Sequence, residues 1–162
     1  MAKKKGPEGT PALVALHRAG VAVTAHAYEH DPRAQSYGQE AADVLGLDPA
    51  RVFKTLMIDL DGELAVAVVP VSGSLDLKRA AAALGAKKAQ MADAAAAQRA
   101  TGYVLGGISP FGQKRAHRTV VDESALGHET VFVSGGRRGL DLEVAPADLV
   151  AQTGAVTASI GR

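Results

Sequence analysis

The pattern of apolar and polar positions is clearest in two β-rich runs, residues 52–60 and 63–71. They are separated by Asp61-Gly62, a favoured two-residue turn between antiparallel strands. The two runs therefore predict a β-hairpin.

Shorter patterns predict the other strands. Residues 21–28 alternate as in a half-buried strand, with Val21, Val23, Ala25 and Ala27 on the apolar face. Further short strands are expected near residues 86–90, 103–105, 119–121, 130–134, 140–144 and 156–160.

Capping residues delimit the expected helices. Thr10 is a good N-cap, Pro11 suits the first helical position, and Gly20 suits the position just past the end. After a loop over residues 30–38, further helices are expected up to Gly46, from Ser74 or Asp76 to Gly85, from Asp93 to Gly102, and from Pro146 onward.

These elements interleave without a regular β-α-β-α series. The predicted fold class is therefore α/β (mixed α+β): a twisted, mixed, largely antiparallel sheet or partial barrel flanked by helices. The 162 residues suit one domain. We expect a disordered tail over residues 1–9, broken by Gly6, Pro7 and Gly9, and a single domain over residues 10–162.

Composition narrows the chemistry. Aromatic residues are only 4% and Trp is absent, so the core must consist mainly of Val, Leu, Ile and Ala. The absence of Cys excludes disulfides, thiolate zinc sites and a cysteine nucleophile. We see no signal peptide, and the longest apolar run, residues 64–71, is too short to span a bilayer. A cytoplasmic location without membrane contact is expected.

Charge leaves the class of partner open. The net charge is +1, from 18 Lys and Arg against 17 Asp and Glu, which is weak for a protein that wraps duplex nucleic acid. The cations nevertheless cluster, as in Lys114-Arg115 and Arg137-Arg138. Such clusters permit contact with a phosphate backbone without requiring it.

Lys54 is the first candidate functional residue. In an extended strand it shares a face with Val52, Leu56, Ile58 and Leu60, where an unpaired ammonium is costly. It could lie at the strand start and reach out to water. Alternatively, it directs its charge into a pocket, toward a phosphate or a polarised carbonyl.

Glycine-rich loops are the second candidate. In residues 106–112, glycines free backbone N–H groups to approach phosphate or an oxyanion, although such loops are more often tight turns. No dinucleotide fingerprint, Walker loop or Gly-x-Ser-x-Gly elbow occurs. The five histidines lack metalloprotease spacing, so neither a metal nor a cofactor is expected.

Seven strings, taken together and in order, resemble the YbaK/EbsC family of aminoacyl-tRNA deacylases. They occupy residues 28–32, 53–56, 75–78, 83–88, 98–103, 106–114 and 134–141. The resemblance runs from about Thr10 to Leu149. It implies a freestanding relative of the editing domain that is inserted in bacterial prolyl-tRNA synthetases.

The resemblance also implies an activity. The substrate would be Cys-tRNA(Pro), whose own thiol attacks the ester carbonyl and releases a cyclic thioester. The partners would be the acceptor end of proline tRNA and, in a complex, prolyl-tRNA synthetase. Deacylation of another small amino acid such as alanine, a non-catalytic tRNA- or synthetase-binding module, and a Schiff-base enzyme that uses Lys54 are the competing hypotheses.

By the same resemblance, Lys54 and the amides of Gly106 and Gly107 would be catalytic. The implied substrate-binding residues are Tyr28, Tyr37, Thr55, Ile108, Ser109, Pro110, Ser134 and Asp141. Two departures stand out: Tyr37 replaces the phenylalanine of the family, and residues 115–118 differ from its basic, proline-containing stretch.

Overall fold

A computed structural model describes residues 9–34 and 36–162. The predicted tail lies outside these residues except for Gly9. Within them, the α-helices are α1 (Pro11–Arg18), α2 (Tyr37–Leu45), α3 (Leu77–Ala83), α4 (Ala94–Thr101) and α5 (Pro146–Thr153), and a 3-10 helix spans Glu123–Gly127. The strands are β1 (Thr24–Ala27), β2 (Phe53–Leu60), β3 (Glu63–Pro70), β4 (Gln90–Met91), β5 (Arg118–Asp122), β6 (Val131–Ser134), β7 (Leu140–Val144) and β8 (Val156–Ala158).

The strands form two sheets. One has the order β4-β2-β3-β5-β8, with antiparallel pairing from β4 to β3 and parallel pairing from β3 to β8. The other is antiparallel, with the order β1-β7-β6. An isolated bridge between Val52 and Phe132 links them. The predicted class is confirmed, but the sheets do not close into a barrel.

Local signals set several boundaries correctly. The β2–β3 hairpin turns at Asp61-Gly62, with Leu60 opposite Glu63. The Asp76 carboxylate accepts the Arg79 N–H at 3.1 Å and caps α3. Asp93 caps α4 in the same way. Each side chain satisfies an N–H group that the first helical turn leaves unpaired.

Two local predictions are wrong. In β1, Ala25 and Ala27 are exposed, whereas His26 is half-buried against the Phe132 ring, 5.3 Å between centroids. As an edge strand bonded only to β7, β1 is oriented by its partner rather than by its small alanines. Residues 103–105 form no strand, because Gln98 Oε1 accepts the Leu105 N–H at 2.8 Å and a turn follows.

The β2–β3 hairpin is buried on both faces. Phe53 and Met57 belong to one apolar cluster, and Ile58 and Leu60 to another, as the alternation in this run requires. Sheets covered on both sides read as nearly continuous apolar runs. No helix in the described part of the chain is long and apolar enough to cross a membrane.

Candidate active site

A cavity of about 350 Å³ lies where the start of β2, the loop into α2, the glycine loop after α4 and the β6–β7 hairpin meet. Eight of the eleven predicted site residues line it: Tyr28, Tyr37, Lys54, Thr55, Gly106, Ile108, Ser134 and Asp141. Three do not: Gly107, Ser109 and Pro110. The fold therefore brings together predicted site residues from segments that lie far apart in the chain.

Lys54 is the second residue of β2, opposite Val69 of β3. Its side chain is half-buried and lines the cavity. Over residues 9–34 and 36–162, no carboxylate oxygen lies within 4.0 Å of its ammonium. A partly buried charge without a counter-ion favours an anionic or strongly polarised ligand group.

Asp141 places a carboxyl group in the same cavity. It lies on β7 between Ser134 of β6 and His26 of β1, and it is 6% exposed. Burial raises the pKa of Asp141 to about 7. Near neutral pH this group is therefore only partly ionised.

Tyr28 stands near Asp141. Burial, the charge of Asp141 and the charge of Glu40 raise the pKa of Tyr28 to about 12, against an opposing backbone hydrogen bond with Gly139. The phenol therefore keeps its proton at neutral pH. It can donate a hydrogen bond to a ligand oxygen.

The hydroxyl of Thr55 is buried and, within the described residues, has no hydrogen-bond partner. Thr55 lines the cavity beside Lys54. An unpaired buried hydroxyl costs about 1–3 kcal/mol, so it is uncommon unless a ligand or water completes it. The geometry supports a polar ligand atom at this point.

The glycine loop supports the predicted amide donors only in part. The Gly107 N–H already donates to the Val104 carbonyl at 2.9 Å, so its predicted role as an oxyanion donor is not supported. In the part of the chain that is described, the Gly106 N–H has no such partner. Gly106 also lies against Tyr37: an added Cβ would be 2.6 Å from the Tyr37 ring carbon Cδ2.

Ser109 and Pro110 belong to this loop but do not line the cavity. Ser109 is fully buried, its hydroxyl accepts the Phe111 N–H at 3.2 Å, and its carbonyl accepts from Gln113 Nε2 at 2.9 Å. Pro110 borders a different depression, beside His117. Neither residue lines the cavity in this structure, so their contact with substrate stays a prediction.

Sequence reasoning missed other parts of the site. Ser36, Leu105 and Arg137 line the cavity. Behind the wall, Glu40 Oε1 lies 2.8 Å from His30 Nδ1, and Glu40 Oε2 accepts the Asp31 N–H at 2.6 Å. Since these contacts join α2 to the loop before it, no local pattern indicates them.

No group of three or more His, Asp or Glu side chains that could hold a metal ion occurs among the described residues. The polar residues that line the cavity supply an ammonium, a guanidinium, a carboxyl, hydroxyls and backbone amides. Such a set can bind an ester, pair with a charged amine and stabilise an oxyanion.

Comparisons with known proteins agree with this chemistry. A family model described as an aminoacyl-tRNA editing domain matches residues 31–151. EbsC of Enterococcus faecalis, whose name refers to Cys-tRNA(Pro)/Cys-tRNA(Cys) deacylation, is 34% identical over 99% of this chain and 98% of its own. The proline–tRNA ligase of Acidithiobacillus ferrooxidans is 34% identical over 54% of this chain but only 15% of its own length.

A solved structure described as a trans-editing enzyme for prolyl-tRNA synthetase shares the fold. Its TM-score is 0.82, over 99% of both chains, at 23% sequence identity. The comparisons confirm the family resemblance and the enzyme class, aminoacyl-tRNA deacylase, that the sequence motifs predicted. The chain belongs to the aminoacyl-tRNA editing domain family.

Proposed function

We propose that the cavity removes cysteine wrongly attached to proline tRNA. The observation that carries this proposal is the Lys54 ammonium, which has no carboxylate partner in the described chain and shares one cavity with the free Gly106 amide. The volume, about 350 Å³, lies at the small end of ligand pockets and suits an aminoacyl ester. The name of EbsC supports cysteine as the amino acid.

The proposed reaction uses the thiol of the substrate. Its sulfur attacks the ester carbonyl carbon, a C–S bond forms, and the C–O bond to the ribose breaks. The ribose oxygen takes up a proton equivalent to the one that the thiol loses, and the product is a cyclic thioester that water later opens. A thiol is a few per cent thiolate at neutral pH, so no protein nucleophile is required.

The residues then act by position and charge. Lys54 and the Gly106 N–H stabilise the negative charge that develops on the carbonyl oxygen. The Asp141 carboxylate pairs with the α-ammonium of the amino acid, and the Tyr28 and Thr55 hydroxyls complete the polar wall. Holding thiol and carbonyl together supplies the remainder of the acceleration.

This chemistry would also provide selectivity. Cysteine and proline are similar in size, and an apolar pocket separates near-isosteres by only about 1–3 kcal/mol. Proline has no thiol. Correctly charged Pro-tRNA(Pro) would therefore survive even if it entered the cavity.

The test is the release of labelled amino acid from Cys-, Ala-, Ser- and Pro-tRNA(Pro) by the purified protein. We expect rapid release of cysteine only. Release no faster than in buffer would refute the proposal, and tRNA binding without release would indicate a non-catalytic binding module. Preferential release of alanine would assign a different amino acid.

The Lys54→Ala variant tests whether the Lys54 ammonium takes part in the reaction. We expect at least a tenfold lower rate, equivalent to about 1.4 kcal/mol of lost transition-state stabilisation. Lys78→Ala, which removes an exposed ammonium at the start of α3, is the matched control and should retain the rate. Borohydride trapping of an adduct at Lys54 would favour a Schiff-base enzyme instead.

The proposed partners are the acceptor end of proline tRNA and, for added affinity, prolyl-tRNA synthetase. A net charge of +1 suits a protein that holds only the end of the tRNA. Tethering to a synthetase would raise the effective tRNA concentration without any new contact in the cavity.

A further inference from the structure

We propose that Arg137 and Arg138 bind the phosphodiester that joins the last two nucleotides of the tRNA. This inference rests on the proposed function, because it concerns the part of the substrate next to the ester. It assigns a phosphate-binding site at the mouth of the cavity.

The two arginines lie in the turn of the β6–β7 hairpin. The Gly135 N–H donates to the Leu140 carbonyl at 2.8 Å and closes this turn. The turn packs on the glycine loop: a Cβ added to Gly107 would lie 2.8 Å from the Arg137 Cα atom. The backbone that carries Arg137 is therefore held against the cavity wall.

Arg138 is held by its side chain as well. Its guanidinium lies 4.9 Å from the centroid of the Tyr37 ring, and its Nε donates to the Leu105 carbonyl at 2.9 Å. Tyr37 and Leu105 both line the cavity. These contacts keep the guanidinium near the cavity mouth while leaving its Nη groups available.

Neither guanidinium forms a salt bridge among the described residues. In the described ranges, no carboxylate lies within 4.0 Å of either guanidinium, whereas Arg118 pairs with Glu63 at 3.1 Å and Arg51 with Glu143 at 3.7 Å. Arg137 Nη1 donates to the Arg138 carbonyl, which leaves its other N–H groups available to a ligand. Both side chains are exposed and accessible to an anion.

The substrate explains why an anion should be there. An aminoacyl ester contributes a positive α-ammonium, so the amino acid itself does not require arginines. Its ester oxygen belongs to the terminal ribose, and the nearest negative group is the phosphate on that ribose. Guanidinium groups match phosphate with two parallel hydrogen bonds.

The first test is direct binding of the trinucleotide CCA, measured by titration calorimetry at low and high salt. We expect Arg137→Gln and Arg138→Gln each to weaken binding about tenfold and to reduce its salt dependence. The matched control is Arg115→Gln, an exposed arginine that lines a separate cleft. Unchanged affinity in both hairpin variants, or an equal loss in the control, would overturn the inference.

The second test separates phosphate binding from support of the cavity. It compares kcat/KM for 3′-cysteinyl-adenosine with that for the same ester carrying a 5′-phosphate. The wild-type protein should prefer the phosphorylated ester about tenfold, and this preference should be largely lost in Arg137→Gln. Equal rates on both esters in the wild type would refute the phosphate site while leaving the proposed function intact.

The two proposals can also fail in the opposite order. If the wild type cleaves neither ester but binds CCA through Arg137, the proposed function is wrong and the phosphate site stands. Arg138→Lys retains the charge but not the planar stacking on Tyr37. It should lose less CCA affinity than Arg138→Gln, and a thermal unfolding curve for each variant serves as the control for folding.

Discussion

Replacing Asp141 by asparagine should stabilise the protein above neutral pH. The side chain keeps its shape but can no longer ionise in an almost fully buried position. Burial raises the pKa of Asp141 from 3.8 to about 7 on folding. Because the folded-state pKa is the higher one, the native state loses no stability through Asp141 below pH 3.8, where the carboxyl is protonated in both states. The loss grows as the pH rises above 3.8 and is complete above about 7.

The magnitude follows from this pKa difference. A pKa near 7 against 3.8 corresponds to a loss of up to about 4 kcal/mol in the free energy of unfolding above neutral pH. An amide at this position would not suffer the loss, because it does not titrate. We therefore expect Asp141→Asn to exceed the wild type in stability at about pH 8, with the advantage shrinking to nearly nothing by about pH 4.

Urea unfolding between about pH 4 and pH 8 measures this effect in the wild type, Asp141→Asn and the control Asp43→Asn. Asp43 is exposed on α2, so the same substitution there removes no buried carboxyl group. Parallel profiles for the wild type and Asp141→Asn would refute the reasoning. Folded Asp141→Asn should also deacylate more slowly than the wild type. A residue that lowers stability but binds substrate is expected to show this opposition between stability and activity.

Three further predictions concern packing and hydrogen bonds. Gly107→Ala should lower the free energy of unfolding by about 1–3 kcal/mol, because the new methyl group meets the Arg137 backbone. The control is Gly127→Ala, which adds a methyl group in open space and should be almost neutral. Equal destabilisation by the two substitutions would contradict the prediction. Thr55→Val should leave stability unchanged or slightly higher in urea unfolding but lower the deacylation rate, and an unaltered rate would exclude a ligand contact. Burial raises the pKa of Asp122, but hydrogen bonds from Ser124, Ile160 and Gly161 outweigh it and lower the pKa overall. Asp122→Ala should therefore lower the free energy of unfolding at neutral pH, and this difference should shrink in acid as the wild-type carboxylate is protonated. A pH-independent loss would indicate packing alone.

Features with a local cause were predictable from the sequence. The Asp-Gly turn fixes the register of the β2–β3 hairpin, and Asp76 and Asp93 cap the helices that follow them. These signals act within a few residues, so the folded environment seldom overrides them. The ordered motifs likewise predicted the family and most of the cavity wall.

Features that depend on distant partners were not predictable. The orientation of β1 follows its pairing with β7, and the Gly107 N–H is used within the loop by the Val104 carbonyl. Ser109 was expected at the ligand but is buried in its own loop. In each case a contact in the folded chain decides which polar group remains free.

The amino-acid order alone determined the helix caps, the hairpin, the mixed α/β class and the lysine on an apolar strand. The folded chain alone decided that Lys54, Gly106 and Asp141 line one cavity, that Arg137 of the β6–β7 turn lines it as well, and that the strands divide into two sheets. The physical reason is the range of the interactions. Caps and turns are satisfied by neighbours in sequence, whereas burial, charge pairing and pKa depend on whatever residues the fold brings together.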